Sequence, residues 1–278
     1  MHKTGWERDR RTHFDEIVLE YDRVRPGYPA AMFEDVIAYV GPGKGKKAIE
    51  IGAGTGKATA PFLKAGFEVT AVEPGANMAA FLLEKFRGYK NFSVITSAFE
   101  DAPLDDGSYD LIYVGSAFHW VDAAIGCPKA FRLLKNGGTF ALLRYNEPGS
   151  ENALNEEIRA VYEKHYFTFY ESKKWLPVLS REGYCSPAGI QRGYGFEDMR
   201  HYGFSGISMK TYDVPRTFGA EEYIALLATM ADLRALPESN RAALFVGIKE
   251  AIQRHGGKYR MEYLFQLYMG RKNQRSSI

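Results

Sequence analysis

The chemistry in this chain begins at residues 48–57, Ala-Ile-Glu-Ile-Gly-Ala-Gly-Thr-Gly-Lys, where three alternating glycines follow a short apolar run. Such a run reads as a buried strand, and the glycines as a turn into a helix-like sequence ending at Pro61. A glycine loop ahead of a helix presents bare N–H groups to a ligand, because no side chain holds the ligand off and positive φ costs nothing. The next apolar stretch, Phe67 to Val72, alternates as a second parallel strand should and ends at Glu73-Pro74. Glu73 therefore stands at a strand tip, where a carboxylate can accept both hydroxyls of a ribose. Its alternative role is to complement the dipole of the helix expected from Gly75 to Phe86. Loop and acid in one βαβ unit point to a nucleotide-like cofactor.

Two common glycine-loop ligands fit poorly. Counting from Gly52, the last glycine of a dinucleotide fingerprint would fall on Lys57, which disfavours a nicotinamide-dependent oxidoreductase. A phosphate loop needs a hydroxyl after Gly-Lys, and Gly56-Lys57 is followed by Ala58.

The elements that must position these residues follow from periodicity. Pro29 to Val40 carries apolar residues at helical spacing and stops at Gly41-Pro42-Gly43. Helix and strand patterns then alternate to Arg144, which predicts a parallel sheet with crossover helices. From Glu151 to about Tyr170 a helical period carries Tyr162, Tyr166, Phe167, Phe169 and Tyr170, with Trp175 beyond, and Ser186 to Gly206 is rich in glycine and polar residues. This stretch reads as an insertion, either a lid over a partly apolar acceptor or an amphipathic helix packed on the sheet edge. Helices are expected at Ala220 to Thr229 and Glu238 to His255, and strands at Ile207 to Val214 and Tyr259 to Met269.

The residues around the loop resemble the class I S-adenosylmethionine-dependent methyltransferases of the type 11 kind. The likeness covers roughly residues 45 to 145: the glycine loop, Glu73, Phe92 to Thr96 followed by Ser97-Ala98-Phe99-Glu100-Asp101, Asp106 to Val114, and the Leu133 to Ala141 turn into a fifth strand. Tyr21 to Pro29 and Ser116 to Asp122 are similar to a narrower subgroup that includes trans-aconitate and juvenile-hormone-acid methyltransferases. The resemblance implies an α/β fold with a Rossmann-like seven-stranded sheet, mostly parallel with an antiparallel final strand, helices on both faces and a small helical lid. It implies a single methyltransferase domain over 1–278: a cofactor-covering segment at 1–28, a cofactor-binding core at 29–145, a lid or insertion at 146–206, and the rest of the sheet with its helices at 207–278.

The same resemblance implies S-adenosylmethionine as cofactor and S-adenosylhomocysteine as product. Glu50, Gly52, Ala53, Gly54 and Gly56 would shape the methionine-side pocket, and Glu73 with Pro74 would hold the ribose. Ala98, Phe99 and Glu100 would border the adenine, with Met78, Ser116 and Ala117 close by. Phe99 and Met78 have ordinary core packing as their alternative. Tyr21 and Arg25 would come from a segment that folds over the cofactor in relatives. Arg25 suits a bidentate carboxylate contact or an ion pair with Asp22 or Glu34.

On the acceptor side stand His119, Trp120, Arg144 and Tyr145. His119 follows the fourth strand's end, and imidazole is the side chain most readily poised as a base near neutral pH. Its alternative is a hydrogen-bonded packing role, while Trp120 suits a pocket wall. Gly115-Ser116-Ala117-Phe118 stands where nucleobase methyltransferases carry an Asn/Asp-Pro-Pro-aromatic turn, and no carboxylate cluster suggests magnesium. The expectation is metal-independent transfer to a small molecule, at a carboxylate or hydroxyl oxygen. A non-catalytic cofactor-binding module is the alternative.

Composition agrees with that class. The 278 residues suffice for a full core, and 36 Lys+Arg against 34 Asp+Glu supply no field that demands nucleic acid. The first residues lack an apolar leader and no apolar run is long enough to span a bilayer, so a cytoplasmic monomer or homodimer without membrane partners is expected. Cys127 and Cys185 lack metal or disulfide spacing and read as reduced structural thiols.

Overall fold

The computed structural model describes residues 13–170, 180–186 and 198–273. Trp175, residues 187–197 of the glycine-rich run and the N-terminal residues through 12 lie outside them. Contacts divide the chain into two compact units, one of Gly27–Asn146, Glu182–Tyr212 and Leu264–Ile278, the other of Met1–Pro26, Glu147–Arg181 and Asp213–Tyr263.

Strands β1 (Lys47–Ile51), β2 (Glu68–Val72), β3 (Phe92–Ile95), β4 (Tyr109–Gly115), β5 (Leu134–Asn146), β6 (Phe204–Gly219) and β7 (Lys258–Lys272) form one seven-stranded sheet in the order β3-β2-β1-β4-β5-β7-β6. The pairs β1–β2, β1–β4, β2–β3 and β4–β5 are parallel, and β5–β7 is antiparallel. This is the expected Rossmann-like sheet. Helices α1 (Val18–Val24), α2 (Ala30–Val40), α3 (Thr59–Lys64), α4 (Ala76–Lys85), α5 (Ala123–Leu133) and α6 (Ala153–Tyr162) fall within a few residues of the periodic stretches where those were read. Only the role given to Pro61 changes. It lies third in α3, inside the first turn, where the missing N–H would have had no intrahelical partner, so the helix runs on to Lys64.

Strand residues alternate between two buried faces, as the central strands of a covered sheet must. Ile49, Ile51, Val72, Ile112, Val114, Phe140 and Leu142 pack with Cys127, Ala130 and Leu133 of α5. On the other face Phe62 of α3 meets Phe33, Phe67 and Tyr113 at ring-centroid distances of 5.5, 5.7 and 4.3 Å.

Glu50 belongs to that second face and is 1% exposed. A buried carboxyl is tolerated when donors meet it: its Oε2 accepts from Thr59 Oγ1 at 2.5 Å and from Tyr113 Oη at 2.9 Å. Burial pushes the carboxyl up to about 7, the two donors oppose that, and the neighbouring Glu73 charge adds to it.

In the second unit, the helical run expected from Glu151 to Tyr170 is found as α6, a π-helical turn at Glu163–Phe167 and a last turn at Thr168–Tyr170. The helix Glu238–Arg254 packs so closely that a Cβ on Gly247 would lie 2.7 Å from Val161 Cγ1. Tyr223, Leu226, Leu244, Ile248 and Ile252 fill the core of this unit.

Glu50 generates a pH prediction. Its folded value, about 7, exceeds the ordinary 4.5, so between these values the folded chain keeps a proton that the unfolded chain has released. Stability therefore falls as pH rises through this window, by about 3 kcal/mol at most. Urea denaturation of the wild type and Glu50→Gln from pH 4 to 8 checks it. The stability difference between them should change by that order, and parallel pH curves would refute it.

Candidate cofactor site

The parallel register brings the strand ends level. Backbone ladders continue one step past the strands: Gly52 N donates to Val72 O (2.8 Å), Glu73 N to Ile95 O (3.1 Å), Ser97 N to Glu73 O (3.2 Å) and Ser116 N to Leu143 O (2.7 Å). Strand order reverses between β1 and β4, and in open α/β sheets this crevice outside the carboxyl ends is where ligands sit.

The three glycines take positive φ for different reasons. At Gly52 (φ +62°) a Cβ would come within 2.6 Å of Ala117 Cβ, so the loops after β1 and β4 touch only because that atom is missing. At Gly56 (φ +77°) a Cβ would lie 2.4 Å from the Phe86 ring and 2.9 Å from Leu82 of α4. At Gly54 (φ +57°) a Cβ would meet nothing within 4 Å. Gly54 faces open space with bare backbone.

Glu73, 7% exposed, fixes that backbone. Its Oε2 accepts from Gly54 N at 2.8 Å and its Oε1 from Gly75 N at 3.0 Å. The acid at the tip of β2 thus holds the middle of the loop after β1 while also capping its own turn into α4. A carboxylate offers about four acceptor positions, so a group that grips backbone can still receive hydroxyls. Lys85 Nζ donates to Thr55 O at 2.9 Å and steadies the loop from α4.

Around this centre the other expected residues divide by burial. Ala53 (7%) and Met78 (2%) are buried, and Met78 packs its helix. Pro74, Ala98, Glu100, Ser116 and Ala117 are half-buried at the strand tips. Phe99, at 3%, is a member of the core cluster, with the Lys129 ammonium 5.4 Å from its ring centre. Lys129 Nζ also donates to Glu100 O (3.0 Å) and Ala102 O (2.7 Å), shaping the loop after β3. Ser116 holds φ +54°, rare for a residue with a side chain, and its Oγ bonds Tyr28 Oη at 2.9 Å.

His119 is exposed on a short 3-10 turn, Phe118–Trp120, its ring 4.9 Å from that of the buried Trp120. Arg144 Nη2 donates to Asn146 Oδ1 at 2.7 Å, and Tyr145 stacks at 5.7 Å on Phe265. Tyr21 and Arg25 lie in the other unit. Arg25 is 5.1 Å above the Tyr21 ring and donates from Nε and Nη2 to Oγ1 and O of Thr229, both at 2.8 Å.

Reading the sequence missed Thr59, Tyr113, Lys85, Lys129 and Tyr28 as supports. Only Tyr28 had a local signal, its place in the Tyr21 to Pro29 stretch.

The site geometry fits an adenosyl group: bare backbone with open space at Gly54, and a fixed carboxylate beside it. Comparison with known proteins points the same way. Residues 49–142 match the family model of the methyltransferase domain. An uncharacterized methyltransferase of Mycobacterium tuberculosis is 35% identical over 136 residues, 49% of this chain and 53% of the relative. The chain spans about half the length of the mycobacterial relatives it matches. Among solved structures, a candidate type II methyltransferase of Anaeromyxobacter dehalogenans superposes with a TM-score of 0.62 at 20% identity, over 90% of this chain and 99% of that one. Phosphoethanolamine N-methyltransferase 2 of Haemonchus contortus, bound to phosphomonomethylethanolamine and S-adenosylhomocysteine, gives 0.54 at 16% identity, over 96% and 59%. At such identities the likeness is one of fold. The glycine loop, the acidic strand tip, the sheet order and the matched segment together support a class I S-adenosylmethionine-dependent methyltransferase domain here, its family match running from residue 49 to 142.

Proposed function

We propose that the chain transfers a methyl group from S-adenosylmethionine to an oxygen, carboxylate or hydroxyl, of a small-molecule acceptor. The observation that carries this reading is the pairing of Gly54, bare and facing open space, with Glu73, whose carboxylate is fixed beside it by two backbone N–H groups. In this reading Glu73 receives the ribose hydroxyls, the loop Gly52 to Gly56 lies along the methionine side, and Ala98 to Glu100 border the adenine with backbone, since the Phe99 ring is spent on the core. Glu50 acts from beneath the loop, through Thr59 and Tyr113.

When bound, the cofactor supplies a methyl group on a sulfonium, already activated toward displacement. The acceptor oxygen forms a bond to the methyl carbon as the carbon–sulfur bond breaks, with the electron pair leaving on sulfur. What the protein adds is alignment and exclusion of water, and holding two reactants in line accounts for about 7–11 kcal/mol in well-oriented models. His119 and Trp120 on the turn after β4, with Arg144 and Tyr145 at the end of β5, are the acceptor-side residues of this proposal. His119 would take the proton of a hydroxyl acceptor.

Calorimetry with S-adenosylhomocysteine tests the cofactor half. Glu73→Ala should weaken binding by about 10²-fold or more, because two charge-assisted hydrogen bonds at ~1.5–3 kcal/mol each are lost. Affinity within about threefold of wild type would remove the ribose assignment. His119→Ala tests the acceptor half once an acceptor is turned over: kcat should fall about 10²-fold with S-adenosylhomocysteine affinity unchanged. Undiminished kcat would return His119 to a packing role.

A further inference from the structure

The second unit contains a titratable cluster that the methyl-transfer reading does not use. Glu147 follows directly on the last residue of β5. Its side chain is half-buried, yet loss of water dominates its carboxyl and pushes it up to about 7, with only Arg25 pulling the other way. Reachable from solvent but surrounded by protein, it stands at the floor of a recess. No hydrogen bond or ion pair reaches it from the described residues. Tyr162, Tyr223 and Tyr259 all lie within its electrostatic reach, and the rings of Tyr223 and Tyr259 are 4.4 Å apart.

A second acid borders the same group. Asp232 Oδ2 accepts from Tyr166 Oη at 2.7 Å, its backbone O accepts from Tyr170 Oη at 2.6 Å, and its Oδ1 is buried without a hydrogen-bond partner among the described residues. Arg25 acts on both acids through space, while Thr229 takes its Nε and one Nη. Two carboxyls thus face one guanidinium in a tyrosine-lined recess.

A desolvated carboxylate is costly until a cation meets it, and tyrosine faces attract cations electrostatically. A hard metal ion needs several oxygen or nitrogen ligands converging, and no group of three or more His, Cys, Asp or Glu in metal-binding arrangement occurs among the described residues. We propose that this recess binds an organic cation, an amine or quaternary ammonium group of a small molecule, with Glu147 as counter-ion and Tyr162, Tyr223 and Tyr259 as its aromatic wall. The inference stands apart from the methyl-transfer reading, and each can fail alone.

Calorimetry at pH 8.5 with 2-phenylethylammonium, and with 2-phenylethanol as its neutral counterpart, tests it. The ammonium should bind at least about tenfold more tightly than the alcohol, and Glu147→Gln should remove that preference while leaving affinity for the alcohol. The wild type alone gives an independent readout. Lowering pH from 8.5 to 5.5 protonates Glu147 and should weaken the ammonium about tenfold or more, since the amine itself stays charged. Arg25 stays charged throughout and the three tyrosines titrate far above this range. The Asp232 carboxyl is also raised, so Asp232→Asn, which should keep the pH response, separates the two acids. Equal affinity for ammonium and alcohol, no binding of either, or a pH response that survives Glu147→Gln would overturn the proposal.

Discussion

The cofactor side of this molecule depends on one contact, the Glu73 carboxylate on the Gly54 N–H. The two residues belong to successive strand–turn units, and only the parallel register of β1 on β2, with Ile51 opposite Val72, brings them to one level. A charge-assisted bond of this kind contributes about 1.5–3 kcal/mol. Its larger effect is geometric: it pins the loop at the position where a Cβ would meet open space. Without it the glycines that permit close approach would equally permit the loop to wander, because glycine has the most conformational freedom to lose.

From that contact the neighbouring constraints follow in order. Gly54 is held upward, so its flanks must go elsewhere: Gly52 sits against Ala117 and Gly56 against Phe86 and Leu82. Ala117 is in place because Ser116 turns through φ +54°, a conformation of the kind that costs about 1–3 kcal/mol. Tyr28 offsets part of that cost by bonding Ser116 Oγ, and a Cβ on Gly115 would come within 2.8 Å of the same tyrosine hydroxyl. The strained turn after β4 and the glycine loop after β1 therefore define one crevice edge between them, at the point where the strand order reverses.

The strands, the glycine loop and the acidic tip were legible because their signals are local: an apolar run, a turn residue, an acid at a strand end. Pro61 was misread for an instructive reason. Proline ends a helix through its missing N–H, and in a first turn that N–H has no intrahelical partner to lose. Phe99 and Met78 show the reverse limit. Periodicity left each with two roles, and only packing sends both side chains into the core. Thr59, Tyr113 and Lys129 were not legible at all, since their value lies in meeting a residue far along the chain. The expected helical run from Glu151 to Tyr170 was found, but not the π-helical turn within it, which has no periodic signature.

The two carboxyls that burial raises to about 7 show why titration alone does not identify a site. Glu50 receives two hydroxyl donors on a single oxygen and is closed off at 1% exposure, so its proton is a matter of the fold's stability. Glu147 is desolvated to a similar extent, yet it receives no donor from the described residues and stays partly open to solvent. Equal shifts thus arise from opposite circumstances. One acid has already been given its partners by the sheet. The other stands among tyrosines in a helical unit with its counter-charge still to come from outside, which is the arrangement expected of a group that meets a ligand.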